Sequence, residues 1–259
     1  MKLDMFADFT DRAGLNERLG LIADAGFDGV MLGFREENKF IQYEAADKAG
    51  LEIENVHSPF DRMNALWEDR EDSGEILERT LECIGICGRN EVSKVIVHPT
   101  DGLVPPPVSD RGLLCFDRIV NKAAACGVTV LFENIQLPQF LDVLFEKFGS
   151  CENVGFCYDA GHENCFAKGD DRLARHGSLL GAVHIHDNCG DHDSHMIPFD
   201  GNIDFVPFLR KLKALDTDLP LSLELYMNKC RNYENVPCRA FTEKAYESAV
   251  RLRDMYNGL

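Results

Sequence analysis

The sequence predicts an α/β fold, a single (β/α)8 TIM barrel in which eight parallel strands close on themselves inside a ring of helices. The chain has 259 residues, and such barrels typically have about 250. Eight strand-like segments alternate with amphipathic helical stretches, as a parallel sheet requires. No Ser/Gly-rich linker or low-complexity segment interrupts the sequence, so we assign residues 1–259 to one domain. A doubly wound open sheet is the alternative fold.

Each predicted strand is short and rich in β-branched or aromatic residues. The strands are predicted at residues 3–6, 29–32, 53–57, 94–98, 129–134, 155–159, 182–187 and 221–225. Helical spacing of apolar residues follows them, as in NERLGLIADAG, ERTLECIGICGRN, FDRIVNKAAACG, PFLRKLKALD and TEKAYESAVRLRDMY. Gly26, Gly50 and Gly127 stand immediately before strands, where glycine commonly ends the preceding helix.

Alternation within the strands predicts which side chains point into the barrel. In LSLEL the three leucines share one face, and Ser222 and Glu224 share the other. In AVHIHD, His184 and His186 lie on the same face, and in GFCYD the last residue of the inner face is Asp159. The apolar face suits contact with the outer helices. The inner face therefore ends in ionisable groups at the carboxyl ends of the strands, where barrel active sites are built.

These strand ends and the loops after them carry a set of potential metal ligands: His57, His98, Glu133, Asp159, His162, His184, Asp193, His195 and Glu224. Imidazole and carboxylate together suit Zn, Mn, Fe or Co. The set is too large for one ion. We therefore predict one to three divalent ions, with Zn or Mn favoured, sharing bridging carboxylates.

Several of these residues also have a structural explanation. A single histidine such as His98 is often structural, and Asp159 can cap the helix that follows it. Glu133 and Glu224 are harder to explain in this way, because an unpaired carboxylate among apolar neighbours is costly. Recurrence of charged residues at the same structural position favours the metal site.

His184 and His186 compete for one role because they share a face. We expect His184 to be the ligand and His186 to contact substrate or support a ligand. The loop CGDHDSHMIP also contains Cys189 and His192, which we expect to be solvated.

Composition restricts the function classes. The formal net charge is −17, from 27 Lys plus Arg against 44 Asp plus Glu. Such a surface attracts cations and repels polyanions, which argues against a nucleic-acid partner. The ten cysteines form no evident disulfide framework, and the start MKLDMFADFTD is acidic for a signal peptide. Since no apolar run approaches the roughly 20 residues of a membrane span, we expect a cytoplasmic protein.

The sequence resembles the xylose-isomerase-like TIM-barrel superfamily, which includes sugar epimerases, inosose dehydratase and endonuclease IV of AP endonuclease family 2. The resemblance covers nearly the whole chain. The pieces that carry it are Glu133 in FEN, Asp159-x-x-His162, His184-x-x-Asp187, the PFDGNIDF turn and Glu224 in LSLEL.

Two branches of this superfamily imply different metal sets. The isomerase and epimerase branch implies one ion held by Glu133, Asp159, His184 and Glu224, with the two glutamates moving protons. The endonuclease IV branch implies three zinc ions and all nine candidate ligands. The chain departs from the nuclease because it is acidic and lacks basic, aromatic-rich loops.

We therefore expect a metal-dependent isomerase or epimerase of a small sugar, sugar phosphate or polyol, acting through a metal-stabilised enediolate. Glu133 and Glu224 would be catalytic, and His162 and His186 would bind substrate hydroxyls. The alternatives are a two- or three-metal phosphoester hydrolase and a non-catalytic metal- or ligand-binding barrel. The resemblance also implies a homo-oligomer.

The substrate walls are expected in loops. Phe60 and Trp67 are candidates to stack on a sugar face, with loop packing as the other explanation. Arg35 and Arg62 are candidates to bind a phosphate group.

Overall fold

A computed structural model describes residues 1–167 and 169–259. Its eight strands are β1 Leu3–Phe6, β2 Gly29–Gly33, β3 Glu52–His57, β4 Lys94–Val97, β5 Thr129–Glu133, β6 Val154–Asp159, β7 Leu180–Ile185 and β8 Leu221–Leu223. Every neighbouring pair is parallel, and β1 pairs with β8, so the sheet is a closed barrel in sequence order. The predicted TIM barrel is confirmed, and the open-sheet alternative is wrong.

Helices follow the strands on the outside of the barrel. They are α1 Leu15–Ala25, α2 Gln42–Lys48, α3 Ser73–Arg89, α4 Asp110–Cys126, α5 Pro138–Phe148, α6 Ala160–Phe166, α7 Arg172–His176, α8 Phe205–Ala214 and α9 Cys238–Gly258, with short 3-10 turns at Met63–Trp67, Gly177–Leu179, Met227–Lys229 and Arg231–Tyr233. Gly26 and Gly127 end α1 and α4 with positive φ angles of 109° and 67°. Glycine adopts this left-handed conformation without steric cost.

The alternation predicted for the strands separates two apolar layers. Ile96, Leu131, Cys157 and Ala182 form a small buried cluster inside the barrel. Outward-facing residues such as Val183 join the larger core between the strands and the helices. The ionisable residues that the strands carry beyond this apolar cluster lie at the carboxyl end of the barrel, as Glu133 and Asp159 do.

Several other sequence expectations can be compared with the structure. All ten cysteines are free thiols. Within residues 1–167 and 169–259, no helix combines the length and apolar character needed to span a membrane.

Candidate metal centre

The carboxyl ends of the strands bring the nine candidate ligands to one rim of the barrel. His57, Glu133 and Asp159 are the last residues of β3, β5 and β6. His98 and Glu224 lie one residue beyond β4 and β8. The others come from β7, from the first turn of α6 and from the loop after β7: His184, His162, Asp193 and His195. Parallel strands end at the same edge of a sheet, so residues far apart in sequence become neighbours.

The central group consists of Glu133, Asp159, His184 and Glu224, whose ligand atoms all lie within 4.8 Å of one another. Glu133 Oε1 lies 3.0 Å from His184 Nδ1, and Glu224 Oε2 lies 3.4 Å from the same nitrogen. All four side chains are buried. Cys157 lies beside Glu133 and His184, but burial raises the pKa of its thiol to about 12. The three carboxylate oxygens and the one imidazole nitrogen thus lie close enough together to share one ion.

A second group shares Glu133 with the first. His98 Nε2 lies 2.9 Å and His57 Nε2 lies 3.3 Å from Glu133 Oε2. The two imidazole nitrogens are 3.2 Å apart. Since one oxygen of Glu133 faces this pair and the other faces His184, its carboxylate is placed to bridge two ions.

A third group lies on the other side of Asp159. His195 Nε2 is 2.9 Å from Asp193 Oδ2, and His162 Nε2 is 3.7 Å from the same oxygen. His186 joins them, with its Nε2 3.3 Å from Asp193 Oδ1. These four residues form one candidate metal-binding cluster.

Backbone carbonyls orient three of the histidines. The Nδ1 atoms of His57, His162 and His195 each lie 2.8 or 2.9 Å from a carbonyl oxygen, those of Ser58, Asn134 and Glu224 respectively. A carbonyl can only accept, so each Nδ1 carries the proton. Each ring thereby turns its Nε2 towards the rim, where that nitrogen can coordinate an ion once it carries no proton, and this is the usual second-shell arrangement of metal-binding histidines.

Neighbouring imidazoles lower the pKa values of Glu133, Asp193 and Glu224 against the effect of burial. Burial raises the pKa of Glu133, but the charges of His184 and His98 outweigh it, so its pKa lies well below the ordinary value. Burial lowers the pKa of His162, but the charges of Asp159 and Asp193 raise it to about 10. Three buried carboxylates and the half-buried Asp193 in one place favour cations.

Buried polar atoms without hydrogen-bond partners test whether a metal fits. Within the part of the chain that the structure describes, Asp159 Oδ2, Asp193 Oδ1, Glu224 Oε2 and His186 Nε2 have no such partner. Buried polar groups are nearly always satisfied. These unpartnered atoms belong to the central and third groups, and their chemistry fits a divalent ion of the Zn or Mn class.

A cavity of about 620 Å³ opens above the rim. Its floor includes six of the nine candidate ligands: His57, His98, His162, Asp193, His195 and Glu224. Phe60 is 46% exposed in its wall, and its ring centroid lies 5.0 Å from that of His98. Arg35, Arg79 and Lys229 also line it. Phe60 and Arg35 therefore lie where the sequence analysis expected substrate contacts.

Trp67 and Arg62 lie elsewhere. Trp67 is buried against Phe116 and Phe140, so it packs the loop rather than the cavity. Arg62 pairs with the exposed Glu75 and does not line the cavity. Sequence reasoning missed Arg79 and Lys229, because their approach to the cavity depends on how α3 and the loop after β8 pack.

Asp187 has a role that its motif did not reveal. Its buried carboxylate accepts backbone N–H bonds from Asn188 and Ile203 through Oδ1, and from Phe199 and Gly201 through Oδ2. It thus holds the PFDGNIDF turn and is not a candidate ligand.

Comparison with known proteins places the chain in a family. A family profile described as xylose isomerase-like TIM barrel matches residues 19–252. The uncharacterised protein y4fM of Sinorhizobium fredii is 36% identical over 93% of this chain and 89% of its own length. The chain belongs to the xylose isomerase-like TIM barrel family.

Solved structures with this barrel include sugar epimerases. D-psicose 3-epimerase from Clostridium cellulolyticum H10, solved with D-tagatose, has a TM-score of 0.79 and 15% identity over 99% of both chains. A D-tagatose 3-epimerase-like protein has a TM-score of 0.78 and 23% identity over 99% of this chain and 97% of its own. At these identities the likeness shows the shared fold.

Proposed function

We propose that this xylose isomerase-like barrel is a divalent-metal-dependent isomerase or epimerase of a small sugar, sugar phosphate or polyol. The observation that carries the proposal is the convergence of two carboxylates, Glu133 and Glu224, on His184 Nδ1 at the base of a cavity. The cavity volume of about 620 Å³ lies in the range of small-molecule sites. The shared fold with D-psicose 3-epimerase supports the same class of chemistry.

The two glutamates differ in their freedom to accept a proton. Glu133 is fully buried, and both its oxygens face imidazole nitrogens, of His184 and of His98. Glu224 lines the cavity, and its Oε2 has no hydrogen-bond partner among the described residues. We therefore assign proton abstraction to Glu224.

Four residues would hold the metal of the reaction: Glu133, Asp159, His184 and Glu224. A bound Zn or Mn ion supplies Lewis-acid polarisation of the substrate carbonyl. Glu224 removes the proton from the carbon beside that carbonyl, and the electron pair moves to the carbonyl oxygen. Return of the proton by Glu224 to the former carbonyl carbon, together with a shift of the adjacent hydroxyl proton to the former carbonyl oxygen, completes an isomerisation. In an epimerisation, Glu133 first takes up a proton from solvent and delivers it to the other face of the original carbon, while Glu224 releases the abstracted proton to solvent.

The charge of the cavity wall favours a neutral substrate over a phosphate ester. Each cation in the wall already has a carboxylate partner. Arg35 Nε lies 2.8 Å from Asp8, Arg79 Nη1 lies 3.1 Å from Asp61, and Lys229 Nζ lies 3.0 Å from Asp193. A phosphate would have to compete with these pairs, whereas sugar hydroxyls can hydrogen-bond to them.

Solvent deuterium entry tests the proposal. Metal-loaded protein in deuterated water is incubated with sugars, sugar phosphates and polyols, and the carbon-bound deuterium is measured by NMR. Glu224→Gln should lower the exchange rate at least about 100-fold, since general acid–base catalysis contributes about 10²–10⁴. Glu78→Gln, which changes an exposed residue of α3 outside the cavity, should leave it nearly unchanged. Epimerisation of a substrate without deuterium entry would contradict the proton transfer.

A phosphoester hydrolase is the second candidate, and a specific observation favours it. An isomerase with one ion leaves His57, His98, Asp193 and His195 without a chemical role, although they form two further metal-binding groups. His195→Ala distinguishes the two functions. Proton exchange by an isomerase should survive in part, whereas hydrolysis by a multi-metal centre should collapse. Metal content that never exceeds one equivalent contradicts the hydrolase, and absence of any turnover favours a binding protein.

A further inference from the structure

Asn134 follows Glu133 directly and is fully buried beside the ends of β5 and β6. The proposed reaction gives this residue no role. We propose that Asn134 is a positioning residue, which fixes Asp159 and His162 for metal binding and leaves each of them one free ligand atom. These two ligands belong to different groups on the rim, so one buried residue aligns both groups. The inference concerns the metal centre and holds whether that centre serves an isomerase or a hydrolase.

The side chain of Asn134 extends the sheet beyond the end of β5. β5 ends at Glu133, whereas β6 continues to Asp159. Asn134 N still donates to Cys157 O, at 3.3 Å. Further along β6, Asn134 Oδ1 accepts the N–H of Asp159 at 2.7 Å, and Asn134 Nδ2 donates to the carbonyl of Asp159 at 2.9 Å. An asparagine amide offers a donor and an acceptor, as a peptide group does. It therefore satisfies both backbone groups of Asp159.

These bonds determine which atom of Asp159 is left for a metal. Its Oδ1 caps α6 by accepting the N–H of His162 at 2.6 Å. Its backbone is bound to Asn134, so Oδ2 is the polar atom of Asp159 that has no hydrogen-bond partner in the described part of the chain. Buried polar atoms are nearly always satisfied. Asp159 is therefore arranged to coordinate an ion through the single oxygen Oδ2.

The backbone carbonyl of Asn134 orients His162 in the same way. It lies 2.9 Å from His162 Nδ1, so this nitrogen donates a hydrogen bond and does not coordinate an ion. The other ring nitrogen, His162 Nε2, faces the third group, with Asp193 Oδ2 3.7 Å away. Three atoms of Asn134 thus hold one ligand of the central group and one ligand of the third group.

The turn that carries both ligands is also held from its other side. Gly161 O accepts a 2.9 Å hydrogen bond from Nδ2 of the buried Asn188, in the loop after β7. A Cβ added to Gly161 would lie 1.9 Å from His186 Cε1, so the turn packs closely against this loop. Asn188 and Asn134 hold the turn between them. The bonds of Asn134 are the ones that reach the ligand residues themselves.

Zinc binding by Asn134→Leu tests the role of the amide, because leucine has the same branched shape and forms no hydrogen bonds. Apo-protein is titrated with Zn²⁺ against a competing chelator, and the equivalents and affinities are compared with wild type. Loss of a residue that supports metal ligands weakens binding about 10–100-fold, and we expect this weakening. Asn134→Ala removes the same bonds with a smaller side chain and replaces the first variant if that one does not fold.

Asn153→Ala is the matched control. Asn153 precedes β6 at the opposite end of the strand, where its Nδ2 donates to Val120 O at 2.9 Å. The variant also loses a bond from an asparagine side chain to the backbone, but far from the rim. It should lower the free energy of unfolding and bind Zn²⁺ as wild type does.

Cobalt substitution reports the geometry of the ligands, which a loss of stability alone does not alter. The visible spectrum of the Co²⁺-loaded protein should differ from wild type in Asn134→Leu and match wild type in Asn153→Ala. Weakening of zinc binding by less than about tenfold, an unchanged cobalt spectrum, or equal effects in Asn153→Ala overturns the proposal. Wild-type protein that binds no metal overturns the metal centre as well.

Discussion

The carboxylate of Asp187 offers the sharpest test of how the loops around the site are held. It is fully buried and accepts four backbone N–H bonds of 2.8–3.1 Å, from Asn188, Ile203, Phe199 and Gly201. These donors belong to the loop after β7 and to the turn that leads into α8. A single side chain therefore adds four hydrogen bonds to the few backbone pairs of this loop, such as Asp187 with Met196.

Asp187→Asn changes this arrangement with almost no change in shape. An amide has one oxygen, so in either orientation two of the four N–H donors face an NH2 group. Each stranded buried donor costs about 1–3 kcal/mol. Two of them predict a loss of about 2–6 kcal/mol in the free energy of unfolding, a large effect for a substitution of this size.

Urea unfolding, followed by circular dichroism at equal metal loading, measures the loss. Asp191→Asn is the matched control because Asp191 is exposed in the same loop and pairs only with His192. We expect it to change the free energy of unfolding by less than about 0.5 kcal/mol. If Asp187→Asn unfolds within about 1 kcal/mol of wild type, the four hydrogen bonds do not hold the loop as described.

Three further predictions concern stability and substrate binding. Burial, together with nearby carboxylates, raises the pKa of Asp4 to about 8. The native protein resists ionisation of this carboxyl, so its stability falls as pH rises from 4 to 8. In melting curves, Asp4→Asn should therefore stabilise the protein more at pH 8 than at pH 4.5. Gly112→Ala would place a Cβ 2.0 Å from Trp67 and should destabilise by about 1–3 kcal/mol in urea, whereas Gly74→Ala, which meets nothing within 4 Å, should not. Phe60→Ala should raise KM about 3–10-fold with little change in kcat. This rise corresponds to the loss of about 0.5–1.5 kcal/mol of contact between the Phe60 ring and the substrate. An unchanged KM would place the substrate elsewhere.

The fold was predictable because its signals are local and repeat eight times. Strand alternation identified the inner face, as the buried cluster around Leu131 and Cys157 confirms. Strand ends were less certain: β7 begins at Leu180 and ends at Ile185, against a prediction of 182–187. The first and last residues of a strand are set by its hydrogen bonds to the neighbouring strands. The sequence of one strand does not reveal which of its residues make those bonds.

The residues of the rim were predictable because the strands of a parallel barrel all end at the same edge. How these residues divide into three groups was not predictable. Strand alternation placed His186 on the inner face. How far its side chain is buried depends on the space left by Gly161, which lies 25 residues earlier in the sequence. The role of Asp187 likewise depends on the PFDGNIDF turn, which begins eleven residues later. Such contacts appear only when distant loops pack together.

Anomalous scattering from crystals of the Zn- or Mn-loaded protein tests the central claim most directly, namely that one cation is shared by Glu133, Asp159, His184 and Glu224. We predict a peak at the metal edge about 2.0–2.2 Å from a donor atom of each residue. A fully loaded crystal with no peak among these four side chains, or with one held by surface carboxylates alone, would contradict the account.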